Sequence, residues 1–427
     1  MHKRSNALSI QHQHLILKRA IVTLIITLVY ITLTEIPLPY VNIAPLMVAM
    51  SAQKARTLQM LTILAGGNIQ QGSIMMIGLM PFIMVQLIIQ VLQLGISKRL
   101  KKLAESANGQ KKIGQFTKLV TLPIALCQAG ITLVVLERLT HNEFIIAPHL
   151  PGELVIFCLM LIISTSTMLA VWLSDLNTIY GLGNGINYLI SCSIIVSTIE
   201  NIHFNPKAIM MIERHFGSTF WFVVLGSLVI FLIYNAICIW YQSSTFRLKI
   251  QFAQLTSSID KDGSLPLSLN IANVMPIIFA GIIMNFLYTA NLWHNARLQR
   301  LVNFKTWESI GFYTIILILF TYIFSYVQFY PGKLNESLDR MNAYIIGVDP
   351  TLTTVSYFKK SLFWLATINV FFYLIMVVVP MIICKLVGLP EQYVLSVSSI
   401  FIIVTTESDI RRQVAGLRAK SMKNTLI

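Results

Sequence analysis

The sequence predicts an all-α polytopic membrane protein with ten transmembrane helices. The composition is the first indication, because 56% of the 427 residues are hydrophobic and only 11% are charged, against about 25% charged residues in soluble domains. The mean hydropathy of +0.72 points the same way. Apolar stretches close to the ~20 residues that cross a bilayer also recur along the whole chain. No large soluble domain is therefore expected.

The predicted spans follow one another from the N-terminus to the C-terminus. The first is retained as a span because Lys18 and Arg19 flank its apolar run and no small-residue cleavage site follows it. The ten spans cover residues 18–36, 74–94, 116–136, 153–173, 183–200, 218–240, 271–290, 309–329, 362–387 and 392–408.

The distribution of Lys and Arg predicts the orientation of the chain. With the N-terminus in the cytoplasm, 23 of the 32 basic residues fall on the cytoplasmic side. Because cytoplasmic loops are enriched in Lys and Arg, both termini are expected in the cytoplasm. Membrane topology then accounts for most of the net charge of +15, and nucleic acid is not expected as a partner.

A short apolar segment lies between the first two spans. Residues 55–73, ARTLQMLTILAGGNIQQGS, are too few to cross the bilayer, and Gly66-Gly67 interrupts them. Irregular backbone at membrane depth requires protein or a water cavity around it, so the segment is consistent with a half-helix in an interior funnel. An amphipathic helix on the membrane surface is the alternative.

Three glycines stand close together in YGLGNGINYLI, residues 180–190. A phosphate-binding loop would need a preceding strand and a characteristic helix start, and neither surrounds Gly181, Gly183 and Gly185. No motif for a catalytic centre or a metal site is visible elsewhere. We therefore expect neither an enzyme nor a bound cofactor.

Ionisable residues are placed unfavourably for a coupled solute transporter. Such transporters carry a charged group near the bilayer midplane, but Glu35, Asp175, Glu407 and Asp409 all lie at the ends of spans. This weakens the prediction of a proton-coupled permease and leaves a passive pore open. Aliphatic pairs at helical spacing, Leu79 with Ile83 and Ile186 with Ile190, are by themselves more typical of ordinary packing.

Several segments together resemble SecY, the central subunit of the bacterial protein-translocation channel. The similarity covers nearly the whole chain in matching order. The segments are AGGNIQQGSIMMIGLMPFIMVQLIIQVL (65–92), GQKKIGQFTKL (109–119), WLSDLNTIYGLGNGINYLI (172–190), LPLSLNIANVMPIIFA (265–280) and YPGKLNESL near residue 330.

The resemblance implies an architecture and a set of site residues. Two inverted five-helix halves, residues 1–200 and 201–410, would close around a pore that opens sideways between the second and seventh spans, and a basic cytoplasmic tail would follow at 411–427. The glycine-rich turn would lead into the fifth span. The pore ring would comprise Leu79, Ile83, Ile186, Ile190, Ile278 and Ile402, and the plug, within 55–72, would include Leu58, Leu61, Ile63, Leu64, Gly66 and Gly67.

The resemblance also implies partners on the cytoplasmic side. In this family the connections at 241–270 and 331–361 are strongly basic and dock ribosomes and the SecA motor; here Arg247 and Lys249 are the implied docking residues. Gln254 stands where the family usually has lysine, and Asp349 where arginine is expected. Each connection has a net charge of only +1.

This departure resembles the accessory SecY of certain Gram-positive bacteria. We expect the channel of an accessory translocase in the cell membrane, driven by a SecA-type ATPase and joined by SecE-like and SecG-like subunits. Its cargo would be unfolded secretory proteins with signal sequences, serine-rich glycosylated adhesins in particular. The signal sequences would leave the channel through its lateral opening and enter the membrane lipid. A divergent housekeeping SecY, or a solute permease or passive pore, are the alternatives.

Overall fold

The computed structural model is built mainly of long helices. It describes residues 2–51, 67, 69, 72–93, 107–146, 151–204, 220–252, 262–291, 300–301, 306–328, 338, 342–345, 354–386 and 391–425. The helices of the first part are α1 (His2–Glu35), α2 (Ile43–Ser51), α3 (Met80–Val91), α4 (Ala107–Leu139), α5 (Gly152–Tyr180) and α6 (Gly185–Phe204).

The second part combines helices with three strands. Its helices are α7 (Phe220–Ser243), α8 (Met275–Asn291), α9 (Trp307–Gln328), α10 (Thr354–Tyr373), α11 (Val379–Leu386) and α12 (Glu391–Thr425). A π-helical turn, Leu374–Val378, joins α10 to α11. The strands are β1 (Thr245–Phe252), β2 (Asp262–Ser268) and β3 (Ala343–Ile345).

Each of the ten predicted spans contains a helix. Five helical stretches in the described part of the chain are long and apolar enough to cross a bilayer: Ile16–Glu35, Asn108–Leu139, Gly152–Tyr180, Trp307–Gln328 and Thr354–Leu386. Shorter apolar helices lie in the second, fifth, sixth and seventh spans. The tenth span falls in α12, which continues as a helix into the predicted tail. The all-α polytopic membrane fold is confirmed.

The second span departs from its predicted start. It was predicted to begin at residue 74, but α3 begins at Met80, and residues 72–79 form turns and a bridge. Gly72 and Gly78 have φ of 55° and 60°, values that favour glycine and interrupt a helix. The segment is buried, and its backbone is satisfied by bonds such as Ile74 N to Ile36 O, 2.9 Å. Protein contacts thus make irregular backbone tolerable here.

The two long connections predicted to be cytoplasmic contain an antiparallel sheet, in the order β2-β1-β3, that the sequence analysis did not predict. Strand β1 pairs with β2 from Thr245–Ser268 to Gln251–Asp262, and its end pairs with β3. Leu248 and Ile250 on one face of β1 pack in a second apolar core with Phe358 of α10. Alternation of polar and apolar residues in RLKI was the available signal.

The main apolar core joins the two halves along two sides. On one side α12 contacts α1 and α6, and on the other α8 contacts α3 and α4. Within the first half, α5 packs against α1, α4 and α6; within the second, α9 packs against α8 and α10. Helices from both halves therefore meet at their inner faces.

Candidate functional site

The predicted ring residues of the second span lie where α3 begins. Leu79 immediately precedes the helix, with φ −88° and ψ 0°, and Pro81 occupies its first turn. Proline fits there because the first helical N–H groups have no intrahelical acceptor. Ile83 follows one turn after Leu79, and both side chains are fully buried. The irregular segment 72–79 therefore ends by placing two aliphatic side chains in the core.

The other four predicted ring residues come from three different helices. Ile190 of α6, Ile278 of α8 and Ile402 of α12 are fully buried in the same apolar cluster as Leu79 and Ile83. Ile186, in the first turn of α6, is partly buried and packs against this cluster. Because this cluster extends through the core in which the helices pack, burial in it does not distinguish pore-lining residues from packing residues. That these six residues line a pore stays a prediction.

The glycine-rich turn joins α5 to α6. Gly183 has φ +79°, in the region that favours glycine. A Cβ on Gly185 would overlap the carbonyl group of Ser174 on α5, so only glycine allows the two helices to approach this closely. A Cβ on Gly181 would meet Asn177 in the same way. The Asn184 side chain accepts a hydrogen bond from Ile186 N, 3.1 Å, and so caps α6.

Side chains from α1, α5 and α12 hold this turn in place. Leu182 N donates to Thr23 Oγ1 of α1 at 2.9 Å, and Gly185 N donates to Thr178 Oγ1 of α5 at 2.9 Å. Gly183 N donates to Gln413 Oε1 of α12. The start of α6, and with it Ile186 and Ile190, is therefore positioned by contacts with three other helices.

Polar contacts missed by the sequence analysis connect α6 with α12. Ser191 and Thr406 share a hydrogen bond of 2.7 Å between their hydroxyl groups, and Thr406 also donates to Asn187 O at 3.3 Å. Asn187 Nδ2 lies 3.5 Å from Asp409 Oδ2. The signal in the sequence is the spacing of Asn187 and Ser191, four residues apart on an otherwise apolar helix face.

The charged residues at the ends of spans have different surroundings. Asp175 forms an ion pair with Lys118, and Glu407 forms one with Arg411 on the exposed surface of α12. Asp409 lies just past the tenth predicted span, and burial raises the pKa of its carboxyl group above the ordinary value. Among the described residues, no three His, Cys, Asp or Glu side chains are grouped as metal ligands.

The predicted plug lies mostly outside the described residues. Its named residues Leu58, Leu61, Ile63, Leu64 and Gly66 lie outside the described residues, and Gly67 is buried. The end of the predicted plug is anchored to the segment after α1. Leu38 N donates to Gly72 O at 2.9 Å, and Pro37 and Ser73 form a β-bridge.

The predicted docking residues lie on β1. Arg247 is paired with Pro266 and Lys249 with Ser264, and both side chains are exposed. They occupy the face of the strand opposite to Leu248 and Ile250, which pack in the second apolar core. The hairpin therefore presents both cations on its exposed face.

Comparisons with known proteins identify the family. The model of the SecY family matches residues 73–410. The protein translocase subunit SecY 2 of Lactobacillus kefiranofaciens subsp. kefiranofaciens is 30% identical over 94% of this chain and 98% of its own length. SecY 1 of the same organism is 29% identical over 93% of this chain and 94% of its own length. The SecY subunit of Streptococcus gordonii is 28% identical over 93% of this chain and 92% of its own length.

Solved structures share the fold. One described as "The structure of a protein conducting channel" superposes with a TM-score of 0.62 at 11% identity, covering 95% of this chain and 93% of its own. Another, described as showing that the SecY plug domain stabilises the closed state, has a TM-score of 0.65 at 12% identity with the same coverage. With a family match over most of the sequence and a shared fold, the chain belongs to the SecY family of protein-translocation channels.

Proposed function

We propose that this chain is the channel-forming subunit of an accessory Sec translocase. It exports a subset of secreted proteins, serine-rich glycosylated surface adhesins among them, across the cytoplasmic membrane. A partner SecA-type ATPase supplies the energy, and SecE-like and SecG-like small membrane subunits complete the assembly. Both termini lie in the cytoplasm, as the excess of Lys and Arg on that side favours.

One observation carries the accessory role: the two long cytoplasmic connections have a net charge of only +1 each. Binding to ribosomal RNA gains free energy mainly by releasing counterions as Lys and Arg neutralise phosphates. Connections with so little net charge gain little in this way. A channel that works after translation with its own motor has no need of that contact.

The apolar cluster around the predicted ring supports the passage of polypeptides. Leu79, Ile83, Ile190, Ile278 and Ile402 come from both halves of the chain and are buried together. A ring of aliphatic side chains accommodates any amino acid without a preference for sequence. When no polypeptide fills it, it excludes water and so resists ion leak.

The two sides on which the halves meet support a hinged opening. At α6 and α12 the halves are connected by the hydroxyl pair of Ser191 and Thr406 and by the bond from Gly183 to Gln413. We place the hinge there, between a first half at 1–200 and a second at 201–410. The lateral opening then lies at the contact between α3 and α8, where an apolar signal sequence can partition into lipid.

A divergent housekeeping SecY is the second candidate. It is favoured by the nearly equal identity to the SecY 2 and SecY 1 subunits of one Lactobacillus, 30% and 29%. The two roles predict different consequences of losing the gene. A housekeeping channel serves all secretion, and an accessory channel serves a few proteins.

The secretome of a deletion strain, compared with that of its parent by mass spectrometry, tests the accessory role. We expect one or a few large serine-rich surface proteins to disappear while growth and general secretion continue, with the deletion complemented by the intact gene as control. Failure to obtain the deletion, or a broad collapse of secretion, would contradict the accessory role and assign general secretion. Loss of a small solute's uptake with an unchanged secretome would indicate a permease.

A further inference from the structure

A polar cavity of about 220 Å³ opens between the last turns of α7 and α9 and the turn of α12 from Asp409 to Arg412. The segment that connects β2 with α8 forms one wall of it. Its lining is polar apart from one isoleucine and comprises Gln242, Ser268, Asn270, Ile271, Asn273, Gln328, Asp409 and Arg412. Neither the pore ring nor the docking strand β1 includes any of these residues.

The cavity wall contains hydrogen-bond acceptors that lack good partners. Gln242 is only 2% exposed; its Nε2 donates to Thr405 Oγ1 at 2.7 Å, and its Oε1 has no partner in the described part of the chain. Asp409 Oδ2 receives only long contacts, 3.4 Å from Asn273 Nδ2 and 3.5 Å from Asn187 Nδ2. Because buried polar atoms are nearly always satisfied, these acceptors indicate a donor that binds between them.

The polar groups in the cavity wall also indicate the charge of the missing donor. Among the described residues, the partnerless acceptor of the wall is the carbonyl oxygen of Gln242, and the carboxylate of Asp409 accepts only two long hydrogen bonds. An anionic ligand would be repelled by Asp409. The only cation in the described lining, Arg412, donates to Ser268 Oγ at 3.3 Å, and its charge partly offsets the effect of burial on the pKa of Asp409. A primary ammonium or a guanidinium group offers several N–H donors and a positive charge, and charge-assisted hydrogen bonds are the strong ones.

The position of the cavity indicates where such a group comes from. The segment 268–274 leads directly into α8, and α8 contacts α3 at the proposed lateral opening. A signal sequence carries a basic region immediately before its apolar helix. When the apolar helix lies between α3 and α8, its basic residues remain on the cytoplasmic side, close to the start of α8.

We propose that this cavity binds a Lys or Arg side chain from the basic region of a signal sequence, with Asp409 and Gln242 as its ligands. This inference rests on the proposed function. It adds a specificity site to the channel: the ring accepts any sequence, and the cavity selects chains whose apolar segment is preceded by a positive charge. Asn187 and Asn273 hold the carboxylate from α6 and from the α8 side.

A double-mutant cycle tests the site. The exported protein is one that the deletion strain fails to secrete, supplied with its own signal sequence or with the Lys and Arg of the basic region replaced by Gln. Each precursor is expressed with the intact channel or with Asp409→Asn, Gln242→Leu or Asp409→Glu. The rate of secretion is measured by pulse labelling, and the amount of channel in the membrane by immunoblot.

We expect Asp409→Asn to slow secretion of the basic precursor roughly tenfold, because one charged hydrogen bond is lost. The rate of secretion of the neutral precursor should stay unchanged. Gln242→Leu should have a smaller effect of the same selectivity, and Asp409→Glu should restore part of the rate. Glu407→Gln, an exposed carboxylate two residues away, is the matched control and should change neither rate.

Equal slowing of both precursors by Asp409→Asn would overturn the proposal, because it would mean that the carboxylate only stabilises the helices. An unchanged rate for both would also overturn it and leave the cavity filled by water alone. If the deletion strain lost no secreted protein, the proposed function itself would be wrong, so the two failures are distinguishable.

Discussion

Single residues determine how the chain passes from α5 into α6. Gly183 adopts a positive φ, and Gly185 allows the start of α6 to lie against the last turns of α5. The hydrogen bonds that the N–H groups of the turn donate to Thr23, Thr178 and Gln413 then fix the turn between three helices. The glycines thus serve backbone geometry, in agreement with the rejection of a phosphate site from the sequence.

A substitution at Gly185 tests whether α5 and α6 approach as closely as the turn requires. Gly185→Ala places a Cβ against the backbone carbonyl of Ser174, which cannot move without distorting α5. We expect a loss of about 1–3 kcal/mol in the free energy of unfolding, seen as a lower midpoint of thermal unfolding of the chain purified in detergent.

Gly114→Ala is the matched control for Gly185→Ala. Gly114 lies inside α4, and no atom comes within 4 Å of its added Cβ. Because alanine favours a helix over glycine by about 1 kcal/mol, this control should leave the midpoint unchanged or raise it. Equal midpoints for Gly185→Ala and the unsubstituted chain would refute the close approach of α5 and α6.

At the scale of elements, the sheet β2-β1-β3 joins the described parts of the two long connections. Strands β1 and β2 come from one connection and β3 from the other, and their apolar face packs on Phe358 of α10. The sheet therefore couples both connections to a membrane-spanning helix. A motor that pulls on the exposed face of β1 acts on a body attached to the channel.

Reversing a charge on that strand tests its role in docking. Arg247 is exposed on β1, so Arg247→Glu should leave folding intact and weaken the contact with the motor. Since exposed ion pairs contribute up to about 1 kcal/mol, we expect stimulation of the partner ATPase by channel-containing membranes to fall about two- to fivefold.

Two controls separate docking from net charge. Arg247→Lys keeps the positive charge and should retain most of the stimulation. Lys112→Glu makes the same reversal at an exposed position of α4, outside both long connections, and should leave the stimulation unchanged. Full stimulation by Arg247→Glu would remove Arg247 from the docking surface.

At the scale of the whole molecule, side chains distant in sequence meet between the two halves. Ile83 and Ile190 belong to α3 and α6, and Ile278 and Ile402 to α8 and α12. If they form the seal of a pore, the barrier to ions depends on all four helices at once. Removing side chains from two of them should open a path for water.

The double substitution Ile83→Gly and Ile190→Gly should increase ion conductance across a planar bilayer containing the purified channel, and in cells it should allow export of proteins with defective signal sequences. The matched control is Ile88→Gly with Ile195→Gly, on the same helices but with side chains that are 46% and 45% exposed. Equal conductance of the two double variants would argue against the ring.

Much of the fold was predictable because a bilayer imposes local rules on sequence. Spans of sufficient length, basic cytoplasmic connections and helix-interrupting glycines can all be recognised within windows of about 20 residues. The resemblance added the long-range order of the segments. The start of α3 was misplaced because residues 72–79 are as apolar as a helix, and hydropathy does not distinguish buried irregular backbone from helical backbone.

What the sequence determined by itself was the membrane class and the ten helical spans, since both follow from apolar length. The orientation of the spans, inferred from charge distribution, and the candidate ring, implied by the resemblance, stay predictions. Only the tertiary structure decided which polar groups meet. Asp409 with Asn187 and Asn273, Gln242 with Thr405, and the strand pairing of two separate connections join residues far apart in the chain. A single sequence carries no signal for such pairs, because their partners are selected by the packing of whole helices.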